Sequence, residues 1–397
     1  MSKTCPSHET NKTWSMVRLG DVCEIIAGQS PEGSYYTDES CYTEFHQGSK
    51  SFGTRELQIS GVYTKKETKI AKPGSLLISV RAPVGDLNIT TRRVCIGRGL
   101  AALIPDDSIS RDFLWLFLTS ATKAVNDAAG AGSCFSSLSR SQLSGLEIPL
   151  PPLSVQREIV ARLERELAAV EKMKKGFEAL AETAKAEFKA ELKDVFEEIS
   201  RGGAETRRLG EICELISDCP HTTAKDEGVG IPLIRTPNVG FTRLILAGVH
   251  RVSEDVYKQR TKRAIPLPGD LIFAREAPAG NVAVIQSGEK VCLGQRTVLL
   301  RLRKGCFSDY IAYSVLQPES QKILIQRSTG STVAHVNVCD IKTFPIHVPP
   351  LSVQREVVAR LDAAKARAEK LEAKAREGVA VCETMRKAIL KEAFEGG

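Results

Sequence analysis

The side chains best suited to chemistry in this sequence are amides, hydroxyls and cations set among glycines. His46 to Leu57 reads HQGSKSFGTREL, and Lys65-Lys66, Arg81 and Arg92-Arg93 follow in the same half of the chain. The other half has Tyr257 to Arg263, YKQRTKR, together with Arg235, Arg243, Arg275 and Arg296. Gln, Ser, Asn, Thr and Arg interleaved with Gly form loops that can meet phosphate oxygens and base edges. For any one of these cations a solvated surface charge is the plainer reading, and the case rests on the set.

Other chemistries have no residues to carry them. There is no GxxxxGK[ST] phosphate loop, no GxGxxG opening a helix and no GxSxG elbow. Histidines 8, 46, 221, 250, 335 and 347 form no HxxH pair. Pro105-Asp106-Asp107 has no ExK at nuclease spacing, and the paired prolines of LPPL and VPPL lack the flanking residues of a methyltransferase loop. The eleven cysteines include no CxxC, which predicts buried, reduced thiols rather than zinc ligands.

The elements that position the basic loops are written twice. Pro151 to Glu164, PPLSVQREIVARLE, returns as Pro349 to Asp362, PPLSVQREVVARLD. RLGDVCEII at Arg18 returns as RLGEICELI at Arg208, PGSLLIS at Pro73 as PGDLIFA at Pro268, APVG at Ala82 as APAG at Ala277, and CIGRG at Cys95 as CLGQR at Cys292. AGS at Ala131 matches TGS at Thr329. Ordered matches of this kind predict a tandem duplication. Each copy is a block of about 150 residues, read as mixed α/β, followed by a fixed segment of about 47. Strand-like SLLISV and DLIFA precede one helical run per block, RDFLWLFLTSATKAVNDAA and SDYIAYSVLQPESQKILIQ, each ahead of a Gly/Ser turn.

Each fixed segment reads as a single long helix, with Ser154 as a plain N-cap in the first copy. Apolar residues then step by three and four: Val160, Leu163, Leu167, Val170, Phe177, Ala181, Ala184, Phe188 and Val195, and in the second copy Leu361, Ala364, Ala368, Leu371, Ala375, Cys382, Met385 and Ile389. Lys174 and Gly378 interrupt this heptad seam. About 45 residues at 1.5 Å each make a rod of roughly 65–70 Å. The simplest partner for each rod is its own copy, antiparallel. The predicted organisation is therefore 1–152, a first globular domain; 153–200, a long helix; 201–350, a second globular domain; and 351–397, a second long helix.

Charge divides along the same lines. The net charge is +7, and the two rods carry as many acidic as basic residues, so the excess lies in the globular blocks. Basic blocks on neutral rods suit contact with a polyanion through the blocks and with protein through the rods. No apolar run approaches the roughly 20 residues of a membrane span. The polar start, MSKTCPSHETNKTW, lacks a signal-peptide core, so a cytoplasmic location is expected.

A block ending in PPLxxQ and a long helix, both repeated, resembles the specificity subunit of type I restriction-modification enzymes over nearly the full chain. PPLSVQREIVARLE and PPLSVQREVVARLD look like the openings of that family's central and distal conserved regions. HQGSKSFG, LLISVRAPVG and CIGRGLAAL look like phrases of its first target-recognition domain, and PLIRTPNVG, PGDLIFAREAPAG and GSTVAHVN like those of its second. The resemblance implies that each domain reads one half of a split, asymmetric double-stranded DNA site in the major groove. It implies that the paired helices fix the spacer and dock two modification (methyltransferase) subunits, and that two motor-nuclease (restriction) subunits complete the enzyme. This chain then holds no cofactor. S-adenosylmethionine, ATP and Mg²⁺ are expected on the partners, with catalysis there too.

Under that resemblance the expected DNA contacts are Gln47, Ser49, Lys50, Arg55, Arg81, Arg92 and Arg98 in the first domain, and Arg235, Asn238, Arg243, Lys262, Arg263, Arg275 and Arg296 in the second. A bracing role for Arg81 and Arg275 is equally open, because both sit in a repeated phrase. Helix pairing and partner docking are expected of Leu163, Leu167, Val170, Phe177, Phe188, Leu361, Leu371, Met385 and Ile389. The alternatives are a coiled-coil scaffold without DNA readout and an unrecognised nuclease.

Overall fold

The computed structural model describes residues 14–121, 137–220, 222–276, 278–327 and 335–395. The polar N-terminal stretch up to residue 13, the Gly/Ser turns at Ala131 and Thr329, Ala277 of APAG and the first part of GSTVAHVN lie outside them. The chain divides into two compact units. One comprises Met1–Gly176 with Glu377–Gly397, the other Phe177–Arg376.

In the first unit the apolar run at Leu76–Ser79, buried throughout, takes an inner place in an antiparallel sheet of order Cys23–Ala27, Leu100–Pro105, Leu76–Ser79, Leu87–Ile89. A second sheet of five short strands contains one parallel pairing, Thr43–His46 with Val94–Ile96, in the register Phe45 to Cys95 and His46 to Ile96. Met16–Arg18 pairs with Glu147–Pro149. Helix Arg111–Ser120 covers the first sheet, capped by the Ser110 hydroxyl, which accepts the Phe113 N–H at 3.5 Å.

The second unit repeats this order with diverged residues. Its antiparallel sheet runs Cys213–Asp218, Thr297–Leu302, Leu271–Ala274, Val282–Val284. Its parallel pairing joins Ile231–Ile234 to Cys292–Leu293, with Leu233 opposite Cys292 and Ile234 opposite Leu293. Glu205–Arg208 pairs with Pro345–Val348. The expected single helical run here is two helices, Ser308–Leu316 and Pro318–Arg327. Gln317 is extended (φ −64°, ψ 151°), as the residue before a proline is pressed to be.

The long helices span Leu153–Arg201 and Leu351–Glu395. Ser154 is not the cap. The paired prolines bring the chain into the helix at Leu153, two residues earlier than a Ser154 cap would, and the Pro152 carbonyl accepts the Gln156 N–H at 3.0 Å. The helices run antiparallel within each unit. In the second, Arg360 bridges Glu191 and Glu198 at 3.2 and 3.0 Å and Arg367 reaches Glu191 at 3.1 Å. In the first, Lys174, a predicted seam interruption, pairs with Glu383 at 3.2 Å.

Apolar burial holds these helices to the blocks. Leu163, fully buried, joins the core of Leu76, Ile78, Leu103 and Phe113, where Leu390 and Ala393 also pack. Leu192, Phe196 and Leu361 join Leu271, Phe273, Tyr310 and Tyr313. Each such leucine contributes on the order of 2 kcal/mol. Val170, Ala184, Ala364, Ala368, Ala375 and Cys382 are buried as their spacing predicts, and Leu167, Phe177, Phe188, Leu371 and Ile389 are half-buried. Met385 is 40% exposed and stands off the buried track, which passes through Cys382, Leu390 and Ala393 instead. A period of 3.6 residues carries a helix face past a strict heptad position near its end.

The described cysteines are free thiols. Burial pushes the Cys23 and Cys213 thiols up to about 12, so both stay protonated and inert. Among the described residues no helix is long and apolar enough to cross a membrane.

Candidate nucleic-acid interface

The parallel strand pair of the first unit ends in a cluster of polar side chains. The His46 carbonyl accepts the Gly97 N–H at 2.8 Å and the Gln47 carbonyl accepts the Gly99 N–H at 3.1 Å, which ties the two strand exits together. Ser30 links them further: its hydroxyl donates to Gln47 Oε1 at 2.7 Å and accepts the Arg98 N–H at 3.2 Å. A cavity of about 700 Å³ opens here, lined by Ser30, Tyr36, Gln47, Lys50, Ser60 and Arg98 among others. Position 97 must be glycine, because a Cβ there would lie 2.7 Å from Gln47 Oε1 and 2.9 Å from the Phe45 ring.

A buried ionic group supports this floor. Arg92 grips Glu44 with two hydrogen bonds, 2.6 and 2.9 Å, and its remaining donors reach the Leu57 and Gln58 carbonyls at 2.9 and 3.1 Å. His46 Nε2 lies 3.0 Å from Glu44 Oε1, and its Nδ1 is buried with no partner among the described residues. Burial pushes the Glu44 carboxyl up. The hydrogen bonds from Arg92 and the Ser60 N–H, with the charges beside it, more than reverse that and hold it below the ordinary carboxylate range. Burial lowers His46, which therefore sits neutral.

The second unit places an equivalent pair at the same joint. The Ile234 carbonyl accepts the Gly294 N–H at 2.7 Å, so Arg235 and Gln295 occupy the strand exits. They line a cavity of about 100 Å³ together with Thr223, Asp226 and His250. A Cβ at Gly294 would meet Arg235 Cγ at 2.6 Å. The Nε–H of Arg235 is buried and has no acceptor among the described residues. Asp226 is held below the ordinary carboxylate range by the N–H groups of Arg251 and Gly228, and the charges of His250 and Arg235 add to this.

The structure divides the expected DNA contacts into two groups. Several cations are bound internally. Arg92 is held by Glu44, and Arg55 by Asp112 and Glu164 at 2.6 and 3.1 Å. Arg243 is held by Asp309 at 2.6 Å, and Arg275 by Asp218, the Val336 carbonyl and His335. Arg296, with φ +62°, pairs with Glu276 at 2.6 Å. Asn238 is 6% exposed and braces its own loop, donating to the Ile245 carbonyl and accepting the Arg235 N–H. Fold bracing accounts for their geometry. Of the others, Gln47, Lys50, Arg81, Arg98, Lys262 and Arg263 are exposed and Ser49 is half-buried in a short 3-10 turn. Lys50, Arg81, Arg98, Lys262 and Arg263 have no side-chain ion pair among the described residues.

Gln295 was not among the expected contacts. Its signal lay in the match of CIGRG to CLGQR, which sets Gln295 against Arg98.

The family model described as the type I restriction modification DNA specificity domain matches residues 11–177 and again 202–379. The putative type I restriction enzyme MjaX specificity subunit of Methanocaldococcus jannaschii is 37% identical over 158 residues, 39% of this chain and 37% of that protein. The type I restriction enzyme HindI specificity subunit of Haemophilus influenzae is 30% identical over 169 residues, 39% of this chain and 36% of that protein. These matches thus span little more than a third of either relative. In fold, the chain is similar to a solved chain from a type I R-M system, with a TM-score of 0.73 at 22% identity, covering 98% of this chain and 99% of that one. Matched twice along its length by the same model, the chain belongs to the type I restriction-modification DNA specificity family.

Proposed function

We propose that this chain is the non-catalytic DNA-recognition subunit of a type I restriction-modification enzyme. Each globular block reads one half of a split, asymmetric DNA site, and the long helices set the spacer and dock two methyltransferase subunits. Two motor-nuclease subunits complete the assembly. S-adenosylmethionine, ATP and Mg²⁺ are bound by these partners, as are the bases taken out of the stack for methylation.

The observation that carries this reading is a cavity at the same joint of both blocks whose polar side chains come from different residues, Gln47 with Arg98 and Arg235 with Gln295. A duplicated scaffold with diverged polar tips suits two related but unequal readouts. Exposed apolar side chains on the long helices, Met173 at 43%, Val381 at 51% and Met385 at 40%, leave surface for protein partners.

Binding to duplex DNA in the presence of the partner methyltransferase, measured across salt concentrations, tests the function. Each phosphate contact contributes about −0.9 to the slope of log K against log salt. A flat response supports the scaffold reading instead, and DNA cleavage by the pure chain with Mg²⁺ supports the nuclease.

A further inference from the structure

The two strand-exit joints carry the same two residue types in exchanged positions. The exit of Thr43–His46 bears Gln47, and the exit of its parallel partner, after Gly97, bears Arg98. The exit of Ile231–Ile234 bears Arg235, and that of its parallel partner, after Gly294, bears Gln295. The framework is held constant while the tips are swapped. The carbonyl-to-glycine hydrogen bonds are 2.8 and 2.7 Å, and in both units a Cβ on the glycine would strike the long side chain that crosses it. Glycine at 97 and 294 therefore exists to let Gln47 and Arg235 lie over the joint.

Arginine matches the O6 and N7 of guanine with two parallel hydrogen bonds, and glutamine matches the N6 and N7 of adenine in the same way. We propose that Gln47 with Arg98, and Arg235 with Gln295, are the base-reading pairs, so that each half-site contains a guanine met by the arginine and an adenine met by the glutamine. This assignment rests on the DNA-reading function proposed above.

Three further observations favour these four over the other polar residues. Arg55, Arg92, Arg243, Arg275 and Arg296 are already gripped by carboxylates, and using one for a base would strand its partner acid. Each pair lines one cavity. The Arg235 Nε–H has no acceptor among the described residues, so the side chain can leave its resting place without breaking a hydrogen bond there. What the guanidinium would give up is the charge of Asp226, which lines the same cavity.

The test is base-resolution methylation mapping in a host that expresses the chain with its partner methyltransferase. The variants are Gln47→Ala, Arg98→Ala, Arg235→Ala and Gln295→Ala, and the double exchange Gln47→Arg with Arg98→Gln. That exchange copies the second block's own arrangement, so the backbone tolerates it. The expected result is that each single variant makes one specified base of one half-site degenerate, with roughly tenfold or greater loss of discrimination there. Substitutions at 47 and 98 act on one half, and those at 235 and 295 on the other. The double exchange rewrites one half and spares its companion.

A folded variant, checked by an unchanged melting temperature, that yields the original motif overturns the assignment. So does one that lowers methylation evenly at all sites without changing the motif, which is the behaviour of a phosphate anchor. If the unaltered chain itself directs no two-part motif, the DNA-reading function fails as well, and the two failures are told apart by that control.

Discussion

Gln156 and Gln354 make the same three hydrogen bonds from equivalent places in the two units. Gln156 Nε2 donates to the Ser108 and Pro151 carbonyls at 3.0 and 2.8 Å, and its Oε1 accepts the Ser110 N–H at 2.7 Å. Gln354 Nε2 donates to the Gly305 and Pro349 carbonyls at 3.1 and 2.8 Å, and its Oε1 accepts the Phe307 N–H at 2.8 Å. Both side chains are completely buried. Ser110 and Phe307 are the N-cap residues of the block helices, so each glutamine fastens the start of a long helix to the start of a block helix. This gives the glutamine of PPLxxQ a physical purpose.

Replacing Gln156 with leucine keeps the volume and takes the partner from the buried Pro151 carbonyl, the Ser108 carbonyl and the Ser110 N–H. The expected cost is about 2–3 kcal/mol. Hydrogen exchange at the Ser110 amide should then accelerate by about 30-fold or more, with Gln354→Leu doing the same at Phe307. Protection unchanged at either amide would deny the glutamines this role.

The buried Glu44–His46 pair predicts acid sensitivity in the first block. His46 is depressed below the ordinary imidazole value of 6.5, so the unfolded chain binds the proton first and stability falls as pH drops through 6.5. Glu44 is depressed below 4.5, and its contribution is lost only at lower pH, as the folded carboxylate protonates. His46→Ile copies Ile234 of the second block and should flatten the decline between pH 6.5 and 4.5, read as melting temperature against pH. The same slope in the variant would place the titrating group elsewhere.

Bracing and reading separate under mutation. Arg92→Ala leaves Glu44, 8% exposed, without its cation but with the Ser60 N–H, and should cost about 1–3 kcal/mol, since Arg92 is itself partly solvated. Whatever protein remains folded should direct methylation to the original motif. A new motif from this variant would show that Arg92 meets bases after all.

The spacer is the property assigned to the helices. Removing one heptad from each, near Gly176 and near Arg376, should change the preferred gap between half-sites and leave both half-site sequences intact. An unaltered gap in the methylation motif would contradict the ruler.

Much of the fold was legible because it was written twice. The matched phrases place the same strands in both blocks, and SLLISV and DLIFA are buried strands as their apolar runs suggest. Local exceptions came from proline. It started the long helix ahead of Ser154 and divided the block helix at Gln317. The interface was less legible because an arginine's fate depends on acids distant in sequence. Arg92 meets Glu44 from 48 positions away and Arg243 meets Asp309 from 66. Composition cannot reveal such pairings. The exchange of Gln and Arg between joints emerged only once parallel register fixed which residues correspond.

The most direct measurement is the methylation motif that the unaltered chain directs with its partner methyltransferase, read at base resolution across host DNA. Two short specified halves of different sequence, flanking a gap of unspecified bases, are the predicted result. A single uninterrupted motif, or no methylation gained, would contradict a chain that carries two separate readers.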